Sequence, residues 1–192
     1  MSVITADHLW KTYGEKTVLR DVSFRAEAGE TLCLMGPSGV GKTTLLRVLM
    51  GLETADRGTV AADCRFGAVF QEDRLLEGLD AVGNLRFVLG RGYDDGQARA
   101  LLAELGLADT GKKAAREFSG GMRRRLALAR ALLAPSDALA LDEPFTGLDG
   151  ESRRRCLAAP RDHAHGRTVL LVTHDAADAS ALGGRIVTLG EV

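Results

Sequence analysis

The sequence predicts an α/β fold built on a mostly parallel sheet, with a helical block inserted between its strands. Three observations carry that reading. The apolar run Thr31-Leu32-Cys33-Leu34-Met35 leads through a glycine-rich turn into a helix-like stretch, 44–50, that Gly51 is placed to end. Two more apolar runs, 138–141 and 168–172, have the length of strands. Between these, residues 80–133 read as helix. Leu79, Val82, Leu85, Val88 and Leu89 recur at helical spacing, as do Ala98, Leu101, Leu102 and Leu105 before a stop at Gly106. Strand–helix alternation broken by a helical block is the pattern of a parallel sheet carrying an insertion.

The remaining elements follow in order. Segments 2–9 and 17–24 read as strands joined by a turn at Gly14-Glu15-Lys16, and Ala28-Gly29-Glu30 makes a second turn. Segments 58–62 and 66–70 are short strands, and 185–189 is the last. No repeat or low-complexity linker interrupts the chain. At 192 residues it is long enough for one sizeable core. Lys and Arg total 25 against 26 Asp and Glu, a balance that argues against a general nucleic-acid binder. Cys33, Cys64 and Cys156 are scattered and read as reduced thiols, with no disulfide frame or zinc site. The first residues lack a basic segment followed by an apolar one, so no signal peptide is expected. No apolar run approaches the roughly 18 residues of a membrane span.

The chemistry begins at Gly36-Pro37-Ser38-Gly39-Val40-Gly41-Lys42-Thr43, which fits G-x-x-x-x-G-K-[ST] between a strand and a helix. Its glycines let backbone N–H groups wrap a polyphosphate, and the helix start adds unpaired donors and a favourable dipole. Lys42 supplies a mobile charge for the β- and γ-phosphates, and the Thr43 hydroxyl is a ligand for Mg²⁺. The strand 138–141 ends in Asp142-Glu143. Acids at the carboxyl end of a parallel strand sit where α/β sheets bind ligands. Asp142 is the metal partner, and Glu143 is placed to orient or deprotonate water. Ser119 caps a helix that opens Gly120-Gly121-Met122, a second anion cradle. One nucleotide needs only one, so a second suits phosphate held by another subunit. Arg123 and Arg124, which follow, read as a solvated face. Gln71 and His174 stand at strand ends, where one can reach the metal or water and the other the γ-phosphate. Tyr13, in a turn before the phosphate loop, can stack on adenine.

In this order the motifs resemble the ATP-binding-cassette (ABC) ATPases. Tyr13 matches the adenine-stacking aromatic, Gly36 to Thr43 the Walker A loop, and Gln71 the Q-loop. Phe118-Ser119-Gly120-Gly121-Met122 matches the signature, Leu139 to Glu143 Walker B, Gly147-Leu148-Asp149 the D-loop, and His174 the switch histidine. The likeness covers nearly the whole chain. It implies a P-loop NTPase fold with an N-terminal antiparallel β subdomain. The single domain divides into a core, 1–74 with 135–192, and a helical signature subdomain, 75–134. It implies a head-to-tail pair of subunits with ATP and Mg²⁺ between them. Tyr13, Gly36, Pro37, Ser38, Gly39, Val40, Gly41, Lys42, Thr43 and Thr44 bind nucleotide from one side, and Ser119, Gly120, Gly121 and Asp149 from the other. Thr43, Gln71 and Asp142 serve the metal, while Glu143, His174, Gln71 and Lys42 are catalytic. The implied partners are a second ATPase subunit, a transmembrane permease and an extracytoplasmic binding protein, with no nucleic acid. The implied place is cytoplasmic, peripheral on the inner face of the membrane.

The surroundings of Gln71, Gln71-Glu72-Asp73-Arg74-Leu75-Leu76, resemble the nitrate/sulfonate/taurine importers, although Asp73 stands where that group has proline. Import is therefore the expected direction. A cassette ATPase of lipoprotein release or cell division is the alternative, and a phosphate-loop kinase a further one. Four departures stand out. Met122 replaces the usual Gln and Phe118 the usual Leu. The stretch between Walker A and the Q-loop is short. Pro160 falls inside 151–165, where the family has a helix, and is expected to break or kink it. The chain stops soon after His174, so the regulatory domain of some importer ATPases is not expected in it.

Overall fold

The computed structural model describes residues 3–190. The chain opens with β1 (Ile4–Tyr13), β2 (Lys16–Ala26), β3 (Thr31–Met35), α1 (Lys42–Leu49), β4 (Arg57–Ala61) and β5 (Phe66–Val69). Three helices follow: α2 (Ala81–Leu89), α3 (Asp95–Glu104) and α4 (Gly120–Leu133). Then come β6 (Ala138–Asp142), α5 (Gly150–His163), β7 (Thr168–Val172), α6 (Ala176–Ala181) and β8 (Arg185–Thr188). Ser2, the first residue of the expected strand 2–9, lies outside the described residues. The turn at Gly14 is tighter than expected, so β1 runs on to Tyr13 and that residue ends a strand instead of sitting in a loop.

Five strands form one sheet in the order β5-β6-β7-β3-β8, and every adjacent pair is parallel. Both faces are covered. β6 and β7 are buried at all five of their residues, which is why they read as uninterrupted apolar runs. The two-residue period of a strand sorts them between two cores. Leu139, Leu141, Val169 and Leu171 pack with α2, α3, α4 and α5 on one side. Ala138, Ala140, Leu170 and Val172 pack with α1 and with β1 and β2 on the other. The second sheet, β2-β1-β4, is antiparallel and closes that other side.

Helix α4 lies against β5 at very close range. A Cβ on Gly67 would stand 2.5 Å from the Ala131 carbonyl oxygen, so only glycine lets the two approach. The expected apolar stripe before α2 is shifted. Leu79 is 40% exposed, and Asp80 caps the helix by accepting from the Gly83 N–H. The inner face of α2 is Ala81, Asn84 and Leu85, a run of i, i+3, i+4. Asn84 is fully buried yet satisfied. It accepts from Leu76 N–H at 2.9 Å and donates to the carbonyls of Leu76, Leu79 and Asp80.

The expectation for Pro160 is corrected in one respect: the helix is not broken there. Helix α5 continues through it to His163, and the Pro160 carbonyl still accepts from Ala164 N–H at 2.9 Å. Proline removes its own N–H, here the one that would have served Cys156, and its ring crowds that carbonyl. That loss falls in the last turn, where few bonds remain to be lost, and the ring is buried in the core side of the helix. The expected stop for α3 does hold: Gly106 takes φ +69°, a left-handed turn just beyond the helix end.

Candidate functional site

The strand order places four carboxyl ends in a row. β5 leads to Gln71, β6 to Asp142 and Glu143, β7 to His174, and β3 to the glycine-rich loop. The crevice outside the carboxyl ends of parallel strands is where such sheets bind ligands. A cleft of ≈ 260 Å³ lies here, lined by Val18, Ser38, Gly39, Gly41, Lys42, Thr43, Thr44, Gln71, Asp142 and Glu143. A more open hollow of ≈ 480 Å³ shares Ser38 and Gly39 with it. That hollow is walled by Pro37, Val40 and the hairpin residues Glu15, Lys16, Thr17 and Arg20.

The loop is built for an anion. Gly41 precedes α1 at φ +96°, and no side chain caps the helix, so its first N–H groups keep no intrahelical partner. A Cβ at Gly41 would strike the Val18 carbonyl at 2.2 Å, whereas one at Gly39 would meet nothing within 4 Å. The first glycine is fixed by packing, and the second leaves open space over the cleft. Lys42 is 8% exposed and donates to the carbonyls of Gly36 at 2.7 Å and Pro37 at 2.8 Å. Its ammonium therefore bridges the loop with one proton still to give.

Thr43 Oγ1 donates to Asp142 Oδ2 at 2.7 Å, joining α1 to the end of β6. Asp142 is 2% exposed, and burial pushes its carboxyl above the usual range, against the Thr43 bond and the charges of Arg124 and Lys42. A buried carboxylate in that condition gains from a cation. A hydroxyl and a carboxylate are hard oxygen donors, the set Mg²⁺ takes when phosphates and waters complete its octahedron. Among the described residues no group of three or more His, Cys, Asp or Glu could hold a metal unaided. The donors present thus fit a metal that arrives with a phosphate ligand.

Glu143 stands at φ +49°, a left-handed conformation unusual for a side chain of this size. Its N–H donates to Val172 O at 2.9 Å, which pins the turn to β7. Its carboxylate meets His174 Nδ1 at 2.9 Å from both oxygens and accepts from Thr146 Oγ1 at 3.1 Å. That carboxylate holds the His174 proton above the ordinary value of 6.5. His174 does not line the cleft itself and reaches it through Glu143. The loop that carries His174 is tied down in turn. Arg153 of α5 donates to Asp175 and to the buried Asp178, which also accepts from Thr173 Oγ1 at 3.0 Å.

Other residues read from the sequence lie elsewhere. Tyr13 is 45% exposed, with Lys11 Nζ 5.3 Å from its ring centre, and borders the hairpin instead of the cleft. Ser119 caps α4 by accepting from Met122 N–H at 3.3 Å, and Ser119 and Gly120 are exposed. Asp149 caps α5, accepting from the N–H groups of Glu151 and Ser152. These two caps are neighbours: a Cβ on Gly121 would lie 3.7 Å from Leu148. The start of α4 and the turn before α5 are therefore adjacent, and none of Ser119, Gly120, Gly121 and Asp149 lines the cleft.

Arg124 corrects the sequence reading. It is 8% exposed and not part of a solvated face. It donates to Phe70 O at 2.6 Å and Gln71 O at 3.0 Å, and its Nη1 lies 3.2 Å from Asp73 Oδ1. Arg123 is partly covered and pairs with Glu77 at 3.1 Å. An arginine run reads as surface unless its partners, for Arg124 more than 50 residues away, are known.

The sequence profile of the family described as ABC transporter matches residues 19–146. Among curated proteins, the aliphatic sulfonates import ATP-binding protein SsuB 2 of Burkholderia cenocepacia (strain HI2424) is 40% identical over 190 residues. That match covers 93% of this chain and 70% of the relative. The corresponding SsuB 1 of Rhodococcus jostii (strain RHA1) is 42% identical over 190 residues, covering 92% and 75%. Among solved structures, the dimeric ATP-binding cassette MJ0796 in a post-hydrolysis state bound to ADP and Pi aligns with a TM-score of 0.85 at 28% identity. It covers 98% of this chain and 96% of that one.

Proposed function

This chain belongs to the ABC transporter family, and from that premise we propose that it is the ATP-hydrolysing subunit of an importer of the aliphatic sulfonate type. The observation that carries the site reading is the convergence in one cleft of Lys42, Thr43, Gln71, Asp142 and Glu143, with Ser119, Gly120 and Gly121 outside its lining. The loop N–H groups and Lys42 hold phosphate. Thr43 and Asp142, with Gln71, are the residues that would hold Mg²⁺, which when bound neutralises charge on the β- and γ-phosphates. Glu143 takes the proton of the attacking water as the water oxygen bonds to the γ-phosphorus. The bond from that phosphorus to the bridging oxygen breaks, and its electron pair leaves with ADP. His174 orients Glu143 and brings positive charge beside the γ-phosphate.

A head-to-tail dimer places Ser119, Gly120, Gly121 and Asp149 of each subunit over the phosphate held by the other. The exposure of the Ser119 cradle and its nearness to Leu148 support that arrangement. Movement of segment 75–134 against the rest of the chain then transmits closure to a permease. Among the described residues no helix is long and apolar enough to cross a membrane, which suits a subunit held at the membrane by such a partner. An extracytoplasmic binding protein would deliver the solute. The sulfonate assignment rests on the names of the relatives.

Phosphate release by the purified chain from ATP, with no acceptor added, tests the hydrolase reading. A kinase would release none. Growth on an alkanesulfonate as sole sulfur source, compared with growth on sulfate, tests the cargo. A gene deletion that leaves both unchanged removes the sulfonate assignment and leaves the ATPase intact.

A further inference from the structure

Three arginines of α4 hold the segment that carries Gln71. Residues 70–77 form neither helix nor strand, so their carbonyls need partners from elsewhere. Arg124 supplies two bonds, to Phe70 O and Gln71 O. Arg130 supplies two more, to Asp73 O at 3.0 Å and Arg74 O at 2.7 Å. Arg123 and Arg130, seven residues apart, lie two turns along one helix face, and Arg124 sits beside them in the buried flank.

Asp73 explains why Arg124 stays where it is. Its Oδ1 is buried and has no hydrogen bond, but lies 3.2 Å from Arg124 Nη1, so the contact is an ion pair without bonding geometry. Arg123 stands 3.8 Å from the other carboxylate oxygen. The carboxyl is pushed up by burial and pulled down by Arg124, Arg123 and Arg130, in that order. A planar guanidinium fork held at its edge by one carboxylate grips two carbonyls from two nitrogens in a fixed geometry, which a single ammonium on a flexible stem does not reproduce.

We propose that Arg124 is a positioning residue for ATP hydrolysis. Its guanidinium, held by Asp73, fixes the backbone at Gln71 and so aims the Gln71 amide into the phosphate cleft. The same helix begins at the Ser119 cradle, so the clamp couples the position of Gln71 to that of the cradle. This rests on the role proposed above for Gln71.

A double-mutant cycle in the full chain tests it, with kcat, KM and, separately, ATP affinity as readouts. Arg124→Lys keeps the charge beside Asp73 but loses the rigid fork that grips both carbonyls. It should lower kcat by about tenfold to a hundredfold, the scale of a misplaced group, while ATP affinity changes less than about twofold. Arg124→Lys added to Gln71→Ala should then cost nothing more, because the residue it positions is gone. If Gln71→Ala is slow and Arg124→Lys multiplies the loss, the positioning proposal is overturned and the role of Gln71 stands. If Gln71→Ala turns over at the parental rate, both fall together. Should Arg124→Lys fold poorly, the pair Asp73→Ala with Arg124→Met removes both charges and avoids stranding one. It should show the same kcat loss at unchanged ATP affinity, and a parental kcat in that variant would refute the proposal.

Discussion

Replacing Glu143 by Gln tests the chemistry most directly, because the structure isolates what changes. Gln occupies the same volume and takes the same left-handed backbone, so the strain at φ +49° is common to both proteins. Its amide oxygen can still accept from Thr146 Oγ1 or the His174 ring. What is lost is the basicity aimed at the cleft. A positioned general base is worth about 10²–10⁴ in rate, which is about 2.7–5.5 kcal/mol of barrier. Phosphate release should fall by that factor, while ATP affinity, set by Lys42 and the loop, should be held or tightened as a negative charge leaves the γ-phosphate. A second readout is independent of turnover. The His174 ring owes its raised pKa first to its hydrogen bond with Glu143. In the variant, NMR titration should show that pKa falling back toward 6.5. The pair's contribution to stability is present below that ordinary value and disappears as pH rises through the raised one. It is small, since His174 is exposed. A kcat within tenfold of the parent, with the His174 pKa lowered as expected, would refute the assignment of Glu143 as the base.

Three further outcomes are expected. Lys42→Ala should weaken ATP binding in equilibrium titration and abolish nearly all hydrolysis, because it removes both the free ammonium proton and the bridge between Gly36 O and Pro37 O. Glu143→Gln should accumulate as an ATP-dependent dimer in size-exclusion chromatography, and adding Ser119→Arg should return it to monomer. A dimer that survives that second change would remove the Ser119 cradle from the interface. Pro160→Ala restores an N–H for the Cys156 carbonyl. Proline costs about 3 kcal/mol against alanine in a helix interior, part of it already relieved in a last turn and part offset by the buried ring. A net gain of about 1 kcal/mol would raise Tm by about 2–4 °C in calorimetry, and a lower Tm would show that the ring's packing dominates.

The cleft was legible in the sequence because its parts are local. Gly36 to Thr43 and Asp142-Glu143 are each a short string whose geometry follows from a strand ending and a turn beginning. Parallel β6 and β7 announced themselves by burial on both faces. The arginine clamp was not legible. Arg124 and its acceptor at Phe70 are 54 residues apart, and nothing in Met122-Arg123-Arg124-Arg125 distinguishes a buried guanidinium from three exposed ones. Asn84 was hidden for a similar reason: a polar residue on the inner face of α2 breaks the apolar stripe and becomes intelligible only with four backbone partners in view. The direct contact of Glu143 with His174 was also out of reach, although both residues were named, because it depends on β6 lying next to β7. Pro160 shows the opposite error, a strong local rule outweighed by its place near a helix end.

The missing methyl at Gly67 has a reach beyond its own neighbourhood. Helix α4 behaves as a beam about 21 Å long, and Gly67 bears on it near one end, at Ala131. The Ser119 cradle sits about 18 Å away at the other end. Any side chain at 67 would force the beam off its bearing by about 1 Å, and a rigid rod lifted at one end swings at the other. The alignment of the surface proposed to meet a second molecule is thus set deep inside the first, by the smallest residue in the chain.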